Sequence, residues 1–563
     1  MSNKPRHEHW GSQVGVVLAV AGSAVGLGNF LRFPGQVVNY GGGAFMIPYV
    51  VSLLLVAIPI SMSEWALGRF AGRHGYHSPL GMYYVASGRK RGWGIAGGMS
   101  MCVPLVIDMY YIFVEAWCLF YALKYLGGML EPIGLGFTLG SDDLAGMRLG
   151  SGEAYERFFN ATTGASQNGA LFSGSGLPLL ATTVFCVAIN FLLVYRGVSK
   201  GIEKFSKRVA PLILLCALIM IIRVATLGNP LGRPGQSFLD GLGFMWNPTR
   251  DVYNAAGELV GHTSVWTALL NPETWLAATA QIFYSVSICI CAVCTYASYV
   301  RPKDDIALSS LSATATNEFC EVVLGGLMAI PPAIMFLGAR AADGFSSSFQ
   351  LGFIVLPNVF ELMPLGQFCG FVFFFLLFSA SVTSSMSLVL PVVAFFREAL
   401  QCSRGASVLV GAAIHLVGAF IVIWFTKGLT ALDTFDFWFA NFAPFFFAIV
   451  QTGLVAFVWG SAKLREEIAL GSKINPPTFL AFVVKYLSFP YLLVIAVFWA
   501  SKNLKGRIEA TMQDCVAQLS IGFFIAILAF LFALSVVTIR RWRAKGITDG
   551  FGIKSGEEGV SQS

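Results

Sequence analysis

Long apolar runs separated by short polar connections fill this chain from residue 13 to about residue 540. A helix needs about 20 residues to cross the hydrocarbon of a bilayer. On that measure the pattern predicts twelve spans: 13–38, 43–70, 95–125, 177–195, 206–226, 273–300, 307–338, 366–396, 405–427, 433–460, 478–501 and 517–540. What remains between them is too short for a soluble domain, so the fold class is an all-α polytopic membrane protein. The composition agrees, with 56% hydrophobic residues, 12% charged residues and a mean hydropathy of +0.70, outside the range of soluble domains.

Charge sets the orientation. An even number of spans puts both termini on one face, and cytoplasmic loops carry the excess of Lys and Arg. "GRKRGW" (88–93), "YRGVSKGIEKFSKR" (195–208), "RPK" (301–303) and "RRWRAK" (540–545) share one face, which makes it and both termini cytoplasmic. "SKNLKGRIE" (501–509) is basic on the opposite face and runs against the bias. The expected layout is a cytoplasmic segment at 1–12, a core at 13–460, two additional helices within 478–540 and a cytoplasmic tail at 541–563. Within the core, two halves fall at about 13–226 and 273–460. The apolar run behind the basic start has no small-residue cleavage site, so it reads as a retained span. The net charge of +7 is accounted for by inner-face loops and does not indicate a nucleic-acid partner.

The eleven cysteines are scattered, mostly within spans, and read as buried thiols. Of the six histidines only His415 falls inside a predicted span, which argues against a haem or paired-histidine metal centre. No nucleophile with a matching base is visible, so the chain is not read as an enzyme.

The first span is broken. "AGSAVGLGNFLRFP" (21–34) places three glycines, Asn29, Arg32 and Pro34 inside a run otherwise long enough to cross the bilayer. Irregular backbone at membrane depth is tolerated only where it lines a cavity or is buried in protein. The segment therefore predicts a site.

That stretch, with "NYGGGAF" (39–45), resembles the neurotransmitter:sodium symporter family, most of all its bacterial amino-acid-transporting branch. "EHW" (8–10), "PYVVSLLLVAIPISMSEWALGR" (48–69), "RGVSKGIEKFSK" (196–207), "QIFYSVS" (281–287), "TYASYVR" (295–301), "NEFCEVVLGG" (317–326), "TSS" (383–385) and "DFW" (436–438) fit in order. The resemblance implies two inverted five-helix repeats, with the first and sixth helices interrupted near the midplane. It also implies sodium-coupled import of a small solute by alternating access. At the second break, Cys289 and Cys291 of "SICIC" (287–291) stand where the family commonly has glycines, which narrows the pocket floor.

Carried over by position, one sodium site uses the carbonyls of Gly22, Val25 and Ala380 with the hydroxyls of Thr383 and Ser384. A second uses the Ala24 carbonyl, Asn29, Asn317, Ser285 and the substrate's carboxylate. Such Ser, Thr and Asn residues taken singly also serve helix packing; it is their matching order that points to sodium. The substrate site comprises Ala24, Gly26, Gly28, Ile107, Asp108, Tyr111, Tyr284, Ser285, Ser287, Ile290, Ser384 and Leu388. Gly26 leaves room for a carboxylate where amine-transporting relatives place an Asp. Tyr111 would donate to that carboxylate and, with Tyr284, form a lid.

Asp108 departs from the pattern and has two readings, a selectivity element in the cavity or a structural hydrogen bond to a neighbouring span. Glu321 stands where chloride-dependent members are neutral, beside Tyr49, Gln281 and Ser285. A fixed carboxylate there replaces chloride, so chloride independence follows, with proton antiport in the return step as an extension. Arg32 with Asp436, and Arg6 with Glu398, are the expected gates. The leading reading is a sodium symporter of a neutral amino acid. Alternatives are a transporter of an amine, osmolyte or other zwitterion, and a non-transporting sensor on the same fold.

Overall fold

The computed structural model describes residues 8–130, 152–174, 176–249, 251–253, 259–262, 264–338, 348–473 and 479–547. Ten unbroken helices are long and apolar enough to span a membrane: Gly42–Arg73, Arg91–Met129, Leu177–Tyr195, Val198–Thr226, Ile306–Leu337, Gly366–Leu400, Arg404–Trp424, Lys427–Ala469, Leu480–Gln513 and Cys515–Ala544. We number these spans 2–5 and 7–12. Span 1 is the bent pair Gln13–Ala24 and Gly28–Asn39, at 47°. Span 6 is the pair Pro272–Ser285 and Ala292–Ala297. Twelve crossings result, and the one strand pairing among the described residues is a short hairpin of Asp251–Tyr253 with Leu259–His262, between spans 5 and 6.

Five spans per repeat is an odd number, so spans 1–5 and 6–10 enter the membrane from opposite faces and are inverted relative to each other. The first helix of each is the broken one, and the two breaks meet: Ser287 Oγ donates to the Ser23 carbonyl at 3.2 Å and Gln281 Nε2 to the Gly28 carbonyl at 3.3 Å. Spans 3 and 8, the long helices of the scaffold, pack along most of their length beside this crossing. Span 2 lies tight against the second half of span 6. A Cβ added at Gly68 or Gly72 would sit 2.2 and 2.0 Å from the carbonyl oxygens of Cys294 and Ser298.

The two breaks form differently. In span 1, Ser12 caps the helix by accepting from the Gly15 amide at 3.0 Å, and the helix ends at Val25, whose ψ of 94° is extended. In span 6 the chain unwinds through left-handed residues that are not glycine: Ser287, Cys289 and Cys291 have φ of 55°, 61° and 67°. The glycine replacements in "SICIC" thus do not prevent the break. They occupy a conformation that costs a residue with a Cβ roughly 1–2 kcal/mol. Cys291→Gly is therefore expected to be more stable than Cys291→Ala by about 1 kcal/mol, the reverse of the order in a helix. Thermal unfolding of the two purified variants checks this, and an Ala variant at least as stable as the Gly variant would contradict it.

Candidate functional site

Between the breaks and spans 3, 8 and 10 lies a cavity. Ala24, Gly26, Gly28, Ile107, Tyr111, Tyr284, Ser287, Ile290, Ser384 and Leu388, all expected from sequence, line it. Ser23, Phe283, Ser387, Ala440 and Pro444 also line it and were not foreseen. Gly26 sits where any side chain collides: a Cβ there would lie 2.4 Å from Ser384 Oγ and 2.9 Å from the Tyr111 hydroxyl. The Leu27 amide, freed by the break, donates to the Tyr111 hydroxyl at 3.4 Å, and that hydroxyl also meets Ser384 on the cavity wall.

Two expected cavity residues are elsewhere. Ser285 lies behind the wall in a polar cluster. Asp108 turns away from the cavity toward span 9, where His415 Nδ1 lies 3.0 Å from its Oδ2, with both side chains buried. The structural alternative for Asp108 is the one the geometry favours. The reason is helical phase. Ile107 and Tyr111, four apart, are about 40° apart around the helix and share the cavity face, whereas Asp108 and Glu115, seven apart, are about 20° apart on the flank facing spans 4, 8 and 9. Glu115 accepts from Asn190 at 3.0 Å and Ser385 at 2.8 Å there.

The oxygen ligands expected for sodium converge in two groups. Asn29 Nδ2 donates to Asn317 Oδ1 at 2.8 Å, and Asn317 Nδ2 to Ser285 Oγ at 2.6 Å. Asn29 Oδ1 accepts from the Gly26 amide at 2.9 Å, so this group touches the break directly. In the second group, Gly22 faces Thr383, whose Cβ would lie 3.6 Å from a Cβ at Gly22. Ser384 Oγ donates to the Ser23 carbonyl at 3.1 Å, and both Thr383 and Ser384 reach the Ala380 carbonyl, at 2.7 and 3.3 Å. Val25 ends the adjoining helix. Neutral amide, hydroxyl and carbonyl oxygens suit a hard monovalent cation. Among the described residues no group of His, Cys, Asp and Glu is arranged to hold another metal.

Glu321, fully buried, lies beside the first group and accepts from Tyr49 at 2.9 Å, Gln281 at 2.9 Å, Asn29 at 3.2 Å and Ser285. Tyr49, Gln281 and Ser285 are the three residues the resemblance placed around a chloride. Glu318 was not foreseen, and the Tyr49 hydroxyl lies 2.7 Å from its Oε2.

The gates differ from the expectation. Arg32 and Asp436 do not pair directly. Asn441 stands between them, accepting from Arg32 Nη2 at 2.8 Å and donating to Asp436 Oδ2 at 3.0 Å, while Tyr110 donates to Asp436 Oδ1 at 2.7 Å. The Arg32 guanidinium lies 4.8 Å over the Tyr284 ring, which closes that end of the cavity. At the other end Arg6 lies outside the described residues. Glu398 accepts instead from Ser78 Oγ at 2.6 Å and from the amides of Ser78 and His77. The N-terminal segment is held there by Glu8 with Arg404 at 2.5 Å and by Trp10 Nε1 donating to the Tyr296 carbonyl at 2.9 Å.

A cavity between two interrupted helices, flanked by neutral oxygen atoms, is the arrangement of a membrane transporter that couples a small solute to a monovalent cation. The chain belongs to the sodium:neurotransmitter symporter family, whose model matches residues 7–231 and 255–544. It is a sodium-dependent, multi-pass membrane transporter and not an enzyme. Relatives include an uncharacterized sodium-dependent transporter of Methanocaldococcus jannaschii, 27% identical over 506 residues, covering 88% of this chain and 91% of the relative. The human sodium- and chloride-dependent GABA transporter 2 is 24% identical over 558 residues, covering 91% and 86%. The crystal structure of MhsT in complex with L-phenylalanine shares the fold, with a TM-score of 0.69, 24% identity and coverage of 87% of this chain and 99% of that one.

The Asp108–His415 pair predicts stability effects without changed selectivity. His415→Leu leaves a buried carboxylate without its partner and is expected to cost about 3–5 kcal/mol, most of it recovered in the double variant with Asp108→Leu. Thermal unfolding reads the cycle. Competition across a panel of amino acids and amines should give the same ranking for Asp108→Asn as for the unaltered protein, and a changed ranking would return Asp108 to the cavity.

Proposed function

We propose that this chain imports a neutral amino acid together with sodium, through two sodium sites and without chloride. The observation that carries the reading is the side-chain-free position Gly26, facing the Tyr111 hydroxyl beside the Asn29 group. A carboxylate there accepts from Tyr111 and supplies an oxygen to the first sodium, so ion and substrate each raise the other's affinity. Ser23 and Ser287 offer a carbonyl and a hydroxyl to the amino group. Ile107, Phe283, Ile290 and Leu388 make an apolar wall suited to an apolar side chain, as on the phenylalanine named with MhsT. Among the described residues no charged side chain lines the cavity, which favours a zwitterion over a cationic amine.

Glu321 supplies the negative charge near sodium that chloride supplies elsewhere, and a proton on it would neutralise the empty carrier during return. Residues 13–460 form the transporting core, with helices 478–540 added to it, and both termini lie in the cytoplasm. The cycle opens one end of the cavity when the Arg32–Asn441–Asp436 bridge parts, and the other when the contacts of Glu398 and the N-terminal segment part.

Two outcomes follow. A ligand at about 100 times its Kd stabilises the folded state by about 2.7 kcal/mol, and substrate amino acid should approach this in sodium and fall well short in potassium; equal thermal shifts in both salts would sink the coupling. Transport by the unaltered protein should survive replacement of chloride by gluconate, whereas Glu321→Ser should acquire a chloride requirement. A native chloride requirement would overturn the role given to Glu321.

A further inference from the structure

A second opening lies between spans 3, 10, 11 and 12, and its accessible wall is wholly apolar. It runs from exposed Phe446, Ile508, Met512 and Ile525 inward to the side chains of Cys102, Phe439 and Phe447, which are buried. An apolar groove between helices loses dispersion contacts along its lining unless something fills it, and within a bilayer the available filler is a lipid chain.

The chemistry at its rim selects the lipid. Ile508 and Met512 line the groove from the last turns of span 11, and Lys505 falls on the same helical stripe, at spacings of three and four. Lys505 is 87% exposed, and its contact with Glu509 is at 4.0 Å. Lys502 is exposed one turn earlier. Arg507 is committed to Asp433 at 2.6 Å. These cations belong to "SKNLKGRIE", the basic segment that runs against the charge bias of the other connections. A cluster of cations beside an apolar groove matches an anionic headgroup above an acyl chain.

We propose that an anionic phospholipid occupies this groove, with an acyl chain against Phe439, Phe442 and Phe524 and its phosphate on Lys502 and Lys505, and that it holds the gate-bearing turn of span 10 closed. The link to the gate is direct. Trp438, Phe439 and Phe442 line the groove, and Asn441, on the same turn, bridges Arg32 to Asp436. The gating half rests on reading that bridge as a closing contact, whereas lipid binding does not depend on it.

The full-length protein would be reconstituted in vesicles of phosphatidylcholine with phosphatidylglycerol, re-extracted in detergent and its bound lipid identified by native mass spectrometry. Phosphatidylglycerol should be retained over phosphatidylcholine. Lys502→Glu with Lys505→Glu, both at exposed positions, should weaken retention by about 25-fold, from roughly fivefold per lysine, and Ala96→Phe should abolish it by filling the groove. Hydrogen exchange over residues 430–442 should be slower in vesicles containing phosphatidylglycerol than in phosphatidylcholine alone. Equal retention of the two lipids, retention unaffected by Ala96→Phe, or a dimer that Ala96→Phe dissociates would each overturn the lipid assignment. Retained phosphatidylglycerol with unchanged exchange over 430–442 would overturn the gating half alone.

Discussion

Every peptide group unwound inside the membrane must find a partner within the protein, and the rest of this structure is arranged around that demand. At the first break the Gly26 amide is taken by Asn29 Oδ1, the Leu27 amide by Tyr111 of span 3, and the Ser23 carbonyl by Ser287 of span 6 and Ser384 of span 8. At the second break the Cys289 amide is taken by buried Glu64 of span 2, which also accepts from Gln451 of span 10 at 2.8 Å. Four other helices thus converge on two short non-helical segments. The same groups that satisfy the backbone are the ones a solute and an ion would compete for, so binding can proceed by exchanging partners without leaving any group unpaired.

Formal charge near the breaks is sparse. A buried carboxylate costs several kcal/mol unless it is hydrogen-bonded and paired. Glu321 answers that cost with four neutral donors drawn from spans 1, 2 and 6. Its carboxyl is thereby fixed in position beside the neighbouring oxygen cluster. Arg32 is kept farther out, stacked on Tyr284 and tied to span 10, where its charge closes the cavity instead of competing with a cation.

The fold was largely legible because its signals are long. Apolar runs of a bilayer's length repeat twelve times, and the glycines and Asn29 in the first of them mark a break that no lipid-facing helix could tolerate. The inner surface of the cavity was legible through spans 1, 3, 6 and 8, whose motifs carry ten of its lining residues. Ala440 and Pro444 were not, because small residues on span 10 give no signal distinguishing cavity wall from helix packing. Glu64 lay within a recognised motif, but its role as acceptor for the Cys289 amide depends on where span 6 unwinds, which the cysteines in "SICIC" obscure. Asp108 misled because a spacing of three from Tyr111 leaves about 60° between the two side chains, enough to turn the carboxylate out of the cavity.

Asn441 was hidden by a more specific geometry. It lies five residues after Asp436, and in an α-helix that spacing puts two side chains about 140° apart. The segment Phe437–Phe442 is instead a π-helical turn, in which residues five apart stack, and Asn441 Nδ2 reaches both the carbonyl and the carboxylate of Asp436. Similar wide turns occur at Gly28–Arg32, which carries Asn29 and Arg32, and at Phe319–Gly325, which carries Glu321. In each case an extra residue rotates the following face by about 100° relative to the α-helical phase, bringing a polar side chain toward the crossing while the flanking turns keep their apolar faces outward. Wide turns elsewhere, at Leu454–Gly460 and Val484–Ser488 among them, carry none of these residues, so it is the polar side chain on the turn, and not the turn itself, that marks the crossing.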